Sequence, residues 1–144
     1  MRIGIASDHG GFRLKSDLVG MLRERAGLEL EDLGTHSEAS TDYPDYAHRL
    51  ASLILKGKLD RGILVCGTGI GMSIAANRHA GIRCVVCSDT YTAKLSREHN
   101  DTNILALGER VVGKGLAWDI VTAWLDAATD MDARHARRRE KIEI

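Results

Sequence analysis

Gly62-Ile63-Leu64-Val65-Cys66-Gly67-Thr68-Gly69-Ile70-Gly71 is the stretch on which the reading of this chain turns. A short, apolar, branched run ends in a thiol, and three glycines at alternate positions follow just where a helical pattern begins. A buried strand that passes through a glycine turn into a helix is the first half of a strand-helix-strand unit on a parallel sheet. With side chains stripped from the turn, consecutive backbone N–H groups can converge on an anionic oxygen at the positive end of the next helix. The same field favours thiolate over thiol at Cys66.

Outward from this stretch the alternation continues. Apolar runs predict strands at Arg2 to Ala6, Leu28 to Leu33, Gly62 to Val65, Arg83 to Cys87 and Asn103 to Leu107. Between them, helices are expected at Phe12 to Arg25, Asp45 to Leu55, Gly71 to Arg78, Thr90 to His99 and Lys114 to Ala127, with a short basic helix from Ala133. Leu14, Leu18, Met21 and Leu22 recur at helical spacing, as do Ala47, Leu50, Ala51 and Ile54, so each helix has a core-facing stripe. Pro44, the only proline, is expected just before the second helix. The class is α/β with a five-stranded parallel sheet, and residues 1–144 read as a single domain without repeat or linker.

Composition narrows the function. Twenty basic residues balance twenty acidic ones, so no global field draws the chain to nucleic acid or to an anionic membrane, and any anionic ligand needs a local cluster. No apolar stretch reaches the ~18 to 20 residues that cross a bilayer, and the first residues run directly into a strand pattern. Three cysteines without a framework of spacings fit a reducing compartment, and a soluble cytoplasmic protein is expected.

In an open parallel sheet, ligands bind outside the carboxyl ends of the strands. That rule selects Ser7-Asp8-His9-Gly10-Gly11, Cys66 to Gly71, Ser88-Asp89 and Gly108-Glu109-Arg110. Two more polar segments, Asp42-Tyr43-Pro44 and His99-Asn100-Asp101-Thr102-Asn103, can be placed only by the fold. Asp8 beside His9 reads either as a cap on the first helix or as an acid-base group and an anion ligand at one mouth. His36, His48 and His79 read as exposed or packing residues. Cys84 and Cys87 stand three apart in a strand and so point to opposite faces; with no second pair to complete a metal site, they read as filling. Arg134 and Arg138 stand four apart on one helix face, a good clamp for a phosphate dianion.

These segments, together with Ala75-Ala76-Asn77 and Leu95-Ser96-Arg97-Glu98, resemble in order the RpiB/LacAB family of sugar-phosphate isomerases along essentially the whole chain. The resemblance implies a Rossmann-like three-layer α/β/α sandwich, no metal, no cofactor, and interconversion of an aldose phosphate with its ketose through a cis-enediolate. In that scheme Cys66 is the base that moves the proton, while Thr68 and the backbone of Gly67, Gly69, Ile70 and Gly71 stabilise the enediolate oxygens. Asp8 and Tyr43 relay protons among hydroxyls, His99 with Asp8 or Tyr43 opens the furanose ring, and Asn100 binds a hydroxyl or the intermediate. His9, Arg110, Arg134 and Arg138 grip the phosphate. Arg137, Arg138 and Arg139 are consecutive, and Arg138 is chosen for its spacing from Arg134.

The resemblance also implies homodimers or homotetramers whose sites combine residues of two subunits, and leaves open which subunit supplies His99 and each arginine. Substrates from C4 to C6 fit, with ribose 5-phosphate first and allose, galactose and erythrose phosphates open. Two rival readings stand beside it. A nucleotide-binding domain is disfavoured because Gly67, Gly69 and Gly71 form G-x-G-x-G and not G-x-G-x-x-G. A non-catalytic subunit or sugar-phosphate sensor is disfavoured by the presence of Cys66, Thr68 and His99 together.

Overall fold

Alternate residues of the run that ends in Cys66 part to opposite faces of a sheet: Ile63 and Val65 enter one apolar core, Leu64 and Cys66 the other. The computed structural model describes residues 1–143. In it β1 (Arg2–Ser7), β2 (Glu29–Asp32), β3 (Arg61–Cys66), β4 (Cys84–Val86) and β5 (Ile104–Gly108) form one parallel sheet in the order β2-β1-β3-β5-β4. The helices are α1 (Phe12–Arg23), α2 (Tyr43–Leu55), α3 (Ile70–Ala76), α4 (Thr90–Asn100), α5 (Lys114–Asp126) and α6 (Ala133–Glu140).

Right-handed crossovers dictate which face each helix covers. The chain steps from β1 to β2 through α1 and then reverses past β1 to β3 through α2, so α1 and α2 must lie on opposite faces. Leu14, Leu18 and Leu22 of α1 pack with Ala117, Ile120 and Trp124 of α5 and with Ala93 of α4 on one side. Ala47, Leu50 and Ala51 of α2 pack with Met72 and Ala76 of α3 on the other. The result is the expected three-layer Rossmann-like arrangement. The reversal of direction between β1 and β3 leaves a crevice at their carboxyl ends, the position where open α/β sheets hold ligands.

Close packing on the α2 side has a simple cause. Gly4 and Gly62 are register partners on β1 and β3, and a Cβ at either would stand 2.5 Å from a Leu50 methyl. Two missing side chains thus make the socket that seats Leu50, which is fully buried. Emptying that socket with Leu50→Ala would cost about 2 to 5 kcal/mol.

Element ends differ from the sequence reading by one or two residues. Pro44 lies inside the first turn of α2, not ahead of it, because α2 begins at Tyr43; a proline there forfeits only an amide that has no helical acceptor. Asp8 does not cap α1 directly. Its carboxylate accepts the Gly10 amide at 2.9 Å and caps a single 3-10 turn over His9–Gly11, which leads into α1. Cys84 and Cys87 face opposite cores, as their spacing requires, and burial pushes both thiols above the usual range.

Candidate active site

Two backbone hydrogen bonds assemble the mouth of the crevice. The Glu109 amide donates to the Cys66 carbonyl at 2.9 Å and the Arg110 amide to the Gly67 carbonyl at 3.0 Å, so the loop after β5 lies on the loop after β3. Arg110 then crosses Gly67 so closely that a Cβ there would meet its guanidinium carbon at 3.2 Å. From the other side the turn after β1 arrives, with Gly10 placed so that a Cβ would meet the Gly67 nitrogen at 3.3 Å. Tyr43, at the start of α2, lays its ring on Gly71, where a Cβ would come within 2.9 Å of it. Asp8, His9, Tyr43, Cys66 to Gly71 and Arg110 therefore converge on one mouth.

Within that mouth the glycines do separate jobs. Gly69 takes φ +80° as the residue before α3, a left-handed conformation that a side chain would strain. This turn aims the Gly69 amide at the Cys66 sulfur, 3.1 Å away. The Ile70 amide donates to the Thr68 hydroxyl at 3.4 Å. Two of the amides expected to face substrate are thus occupied by the loop's own side chains. Cys66 is 5% exposed at the carboxyl edge of the α2/α3 face, whereas Thr68 and His9 are open to solvent. His9 Nδ1 accepts the Thr41 amide at 3.2 Å, which ties the segment ahead of Tyr43 to the β1 turn. Nothing in the sequence around Thr41 marked it as the link, because its contribution is a backbone N–H.

The other half of the expected residues lies elsewhere. Helix α4 runs from the carboxyl end of β4 back to the amino end of β5, and Arg83, at the amino end of β4, donates its Nε to the Asn100 and Asp101 carbonyls at 3.0 Å each. Since Gly62 pairs with Ile104 and Cys66 with Gly108, the start of β5 is four residues below Cys66, about 13 Å along the sheet. His99 and Asn100 precede that start. Within one chain they occupy the opposite end of the sheet from Cys66.

Helix α6 belongs to this second cluster. The His135 ring stacks on His99 with centroids 4.3 Å apart and planes 11° from parallel, and the Arg139 guanidinium donates to the His99 carbonyl at 3.3 Å and the Asp130 carbonyl at 3.0 Å. Arg134 and Arg138 point to solvent, and Arg138 has no side-chain partner among the described residues. Of the consecutive arginines, Arg139 is engaged in holding α6 to α4. His135, part of the basic stretch in the sequence, has no site role there, because only the packing of α6 on α4 sets it against His99.

Asp101 anchors this cluster. At φ +50° it terminates α4, and its carboxylate accepts Arg97 at 2.7 Å, Thr129 at 2.8 Å and Arg83 at 3.1 Å. Burial opposes its charge, but the Thr129 hydroxyl and the two guanidinium groups outweigh that and hold the carboxyl below its ordinary value. A cavity of about 690 Å³ lies beside this end, lined by Asn77, Arg83, Cys84 and Asn100 among others, and not by Cys66, Thr68 or Asp8. His48 and His79 hydrogen-bond to each other at 2.8 Å, and His79 also lines this cavity. Among the described residues no group of three or more His, Cys, Asp or Glu could hold a metal ion, and no helix is long and apolar enough to cross a membrane.

A parallel α/β fold with a thiol, a glycine loop and an arginine at the switch point marks the site of an enzyme, and comparison with known proteins says of which class. The chain belongs to the ribose/galactose isomerase family, whose model matches residues 3–142. It is an isomerase. It is 55% identical over 141 residues to ribose-5-phosphate isomerase B of Escherichia coli (strain K12), covering 98% of this chain and 93% of that one. It is 44% identical over 128 residues to D-erythrulose-4-phosphate isomerase of Pectobacterium atrosepticum, covering 88% of this chain and 84% of that one. The solved structure of ribose-5-phosphate isomerase B from Clostridium thermocellum superposes with a TM-score of 0.95 at 55% identity, covering 99% of this chain and 95% of that one.

Proposed function

We propose that this chain interconverts ribose 5-phosphate and ribulose 5-phosphate through a cis-enediolate, with Cys66 as the base. The observation that carries the reading is the convergence of the Cys66 loop, the Asp8-His9 turn, Tyr43 and Arg110 at one mouth. In the open-chain aldose the C2–H bond breaks, its proton passes to the Cys66 sulfur, and its electron pair becomes the C1=C2 double bond of the enediolate. A proton moves from O2 to O1. The sulfur then returns its proton to C1 as the C2 carbonyl forms, so the reaction is redox-neutral overall.

The amides of the Gly67 to Gly71 loop that its own side chains leave free, with the Thr68 hydroxyl, bear the developing charge on oxygen. Asp8 and Tyr43 serve the sugar hydroxyls. His9 and Arg110 take the phosphate from this side, and binding energy spent on that non-reacting group positions the carbons at the sulfur.

His99 opens the furanose ring, Asn100 holds a hydroxyl or the intermediate, and Arg134 with Arg138 completes the phosphate grip. In this reading they come from a second copy of the chain, because in a single chain they lie at the far end of the sheet. The working unit is then a homodimer, or a homotetramer built from such dimers, in the cytoplasm. The deciding experiment is turnover of ribose 5-phosphate in D₂O: solvent deuterium should enter the product at C1, and Cys66→Ala should abolish both turnover and exchange. Substrate length is settled by kcat/KM across C4 to C6 aldose phosphates, since named relatives include isomerases of both a pentose and a tetrulose phosphate.

A further inference from the structure

Helix α1 starts without a local cap: Gly11 at its N-cap position has no side chain to offer, and the first turn holds no acidic residue. The missing acceptor comes from 95 residues away, where Glu109 Oε2 accepts the Leu14 amide at 2.9 Å. We infer that Glu109 is a positioning residue for the phosphate end of the site, a remote cap that fixes α1 against the loop after β5. The inference rests on the phosphate role given above to His9 and Arg110.

The geometry closes a ring. From Glu109 the chain passes to Arg110, whose amide donates to the Gly67 carbonyl at 3.0 Å and whose guanidinium lies across Gly67. Gly67 abuts Gly10, Gly10 follows His9, and the same turn runs into α1 and Leu14, where Glu109 closes the circuit. His9 and Arg110 sit on the two arms that this one carboxylate joins. Without it, the arms stay joined by the Gly10–Gly67 contact, by the shared core of Leu14, Val112 and Ala117 and by the Lys114–Asp17 ion pair at 2.9 Å, but the first turn of α1 loses its hydrogen bond to the loop that carries Arg110.

The sign of the effect separates this role from simple electrostatics. A carboxylate beside an anion site repels the anion, so a group acting through charge alone would give tighter phosphate binding on removal. A positioning group gives the opposite. Three variants of the oligomeric protein test it: Glu109→Gln keeps an acceptor at full reach, Glu109→Asp keeps the charge but loses reach, and Glu109→Ala loses both. Inorganic phosphate binding is measured by calorimetry, Leu14 amide exchange by NMR, and KM and kcat with ribose 5-phosphate.

Glu109→Ala and Glu109→Asp should weaken phosphate binding and raise KM about tenfold, with kcat altered less than about threefold. Leu14 exchange should accelerate in both, and Glu109→Gln should restore all of these toward wild type. Tighter phosphate binding in Glu109→Ala, or equal behaviour of Gln and Asp, would overturn the inference. Because phosphate binding is read without turnover, a wild-type protein that isomerises no sugar phosphate yet shows Glu109-dependent phosphate binding would sink the isomerase reading alone. Full turnover with wild-type KM in Glu109→Ala would sink the positioning role alone.

Discussion

The Gly69 amide donates a hydrogen bond to the Cys66 sulfur at 3.1 Å, across a turn whose φ of +80° suits glycine. A donor directed at sulfur stabilises charge there, and it exists only while the turn keeps its left-handed residue.

Gly69→Ala tests that donor. A side chain at this φ is strained, and its Cβ would also sit 3.1 Å from the Leu107 carbonyl carbon. Displacing the amide should lower kcat about 10²-fold, with about 1 to 2 kcal/mol lost from folding stability. Steady-state kinetics and denaturant titration separate the two effects. A variant that loses stability but keeps kcat would show that the amide serves the fold and not the sulfur.

Separation of Cys66 from His99 within the chain predicts complementation. Cys66→Ala and His99→Asn homo-oligomers should each be impaired, the first in proton transfer and the second chiefly with cyclic substrate. Coexpressed, they form mixed dimers with one intact site, and random pairing should recover about a quarter of wild-type activity. Activity of the mixture no greater than the average of the two parents would refute shared sites.

Arginines of α6 should divide by function. Arg134→Ala and Arg138→Ala, at solvent-facing positions, should raise KM for phosphorylated sugars about tenfold or more while kcat falls less. Arg139→Ala instead removes donors to the His99 and Asp130 carbonyls, and should lower thermal stability by loosening α6. Equal kinetic losses at Arg138 and Arg139 would contradict this division.

Acid should release the anchor of the second cluster. Asp101 has a folded-state pKa below its ordinary value, so its contribution is full above the unfolded carboxyl value of about 4. It is lost as pH falls below that toward the folded value. Wild type should therefore lose stability over this range more steeply than Asp101→Asn, followed by circular dichroism from pH 6 downward. Parallel acid curves for the two proteins would show that the Arg83, Arg97 and Thr129 contacts contribute nothing through charge.

Much of this architecture follows from local pattern. The alternation of apolar runs with helical stripes is a short-range property, and so is the choice of glycine at the turn after Cys66. Both were legible, and with them the strands, the helices and the mouth at their carboxyl ends. Element ends were less so. Whether Pro44 precedes or enters α2, or whether Asp8 caps α1 or the turn before it, depends on which amide finds an acceptor, and that is a matter of three-dimensional placement.

Sequence by itself determined the fold class, and it named the residues proposed for chemistry in a chain whose zero net charge leaves anion binding to a local cluster. Tertiary structure decided which of those residues meet. Strand order and crossover direction are long-range facts: they bring Asp8, Tyr43, Cys66 and Arg110 together from distant stretches, carry His99 and Asn100 to the other end of the sheet, and let Glu109 cap a helix 95 residues before it. No local pattern encodes such meetings, because each is set by how whole elements pack and not by the residues beside it.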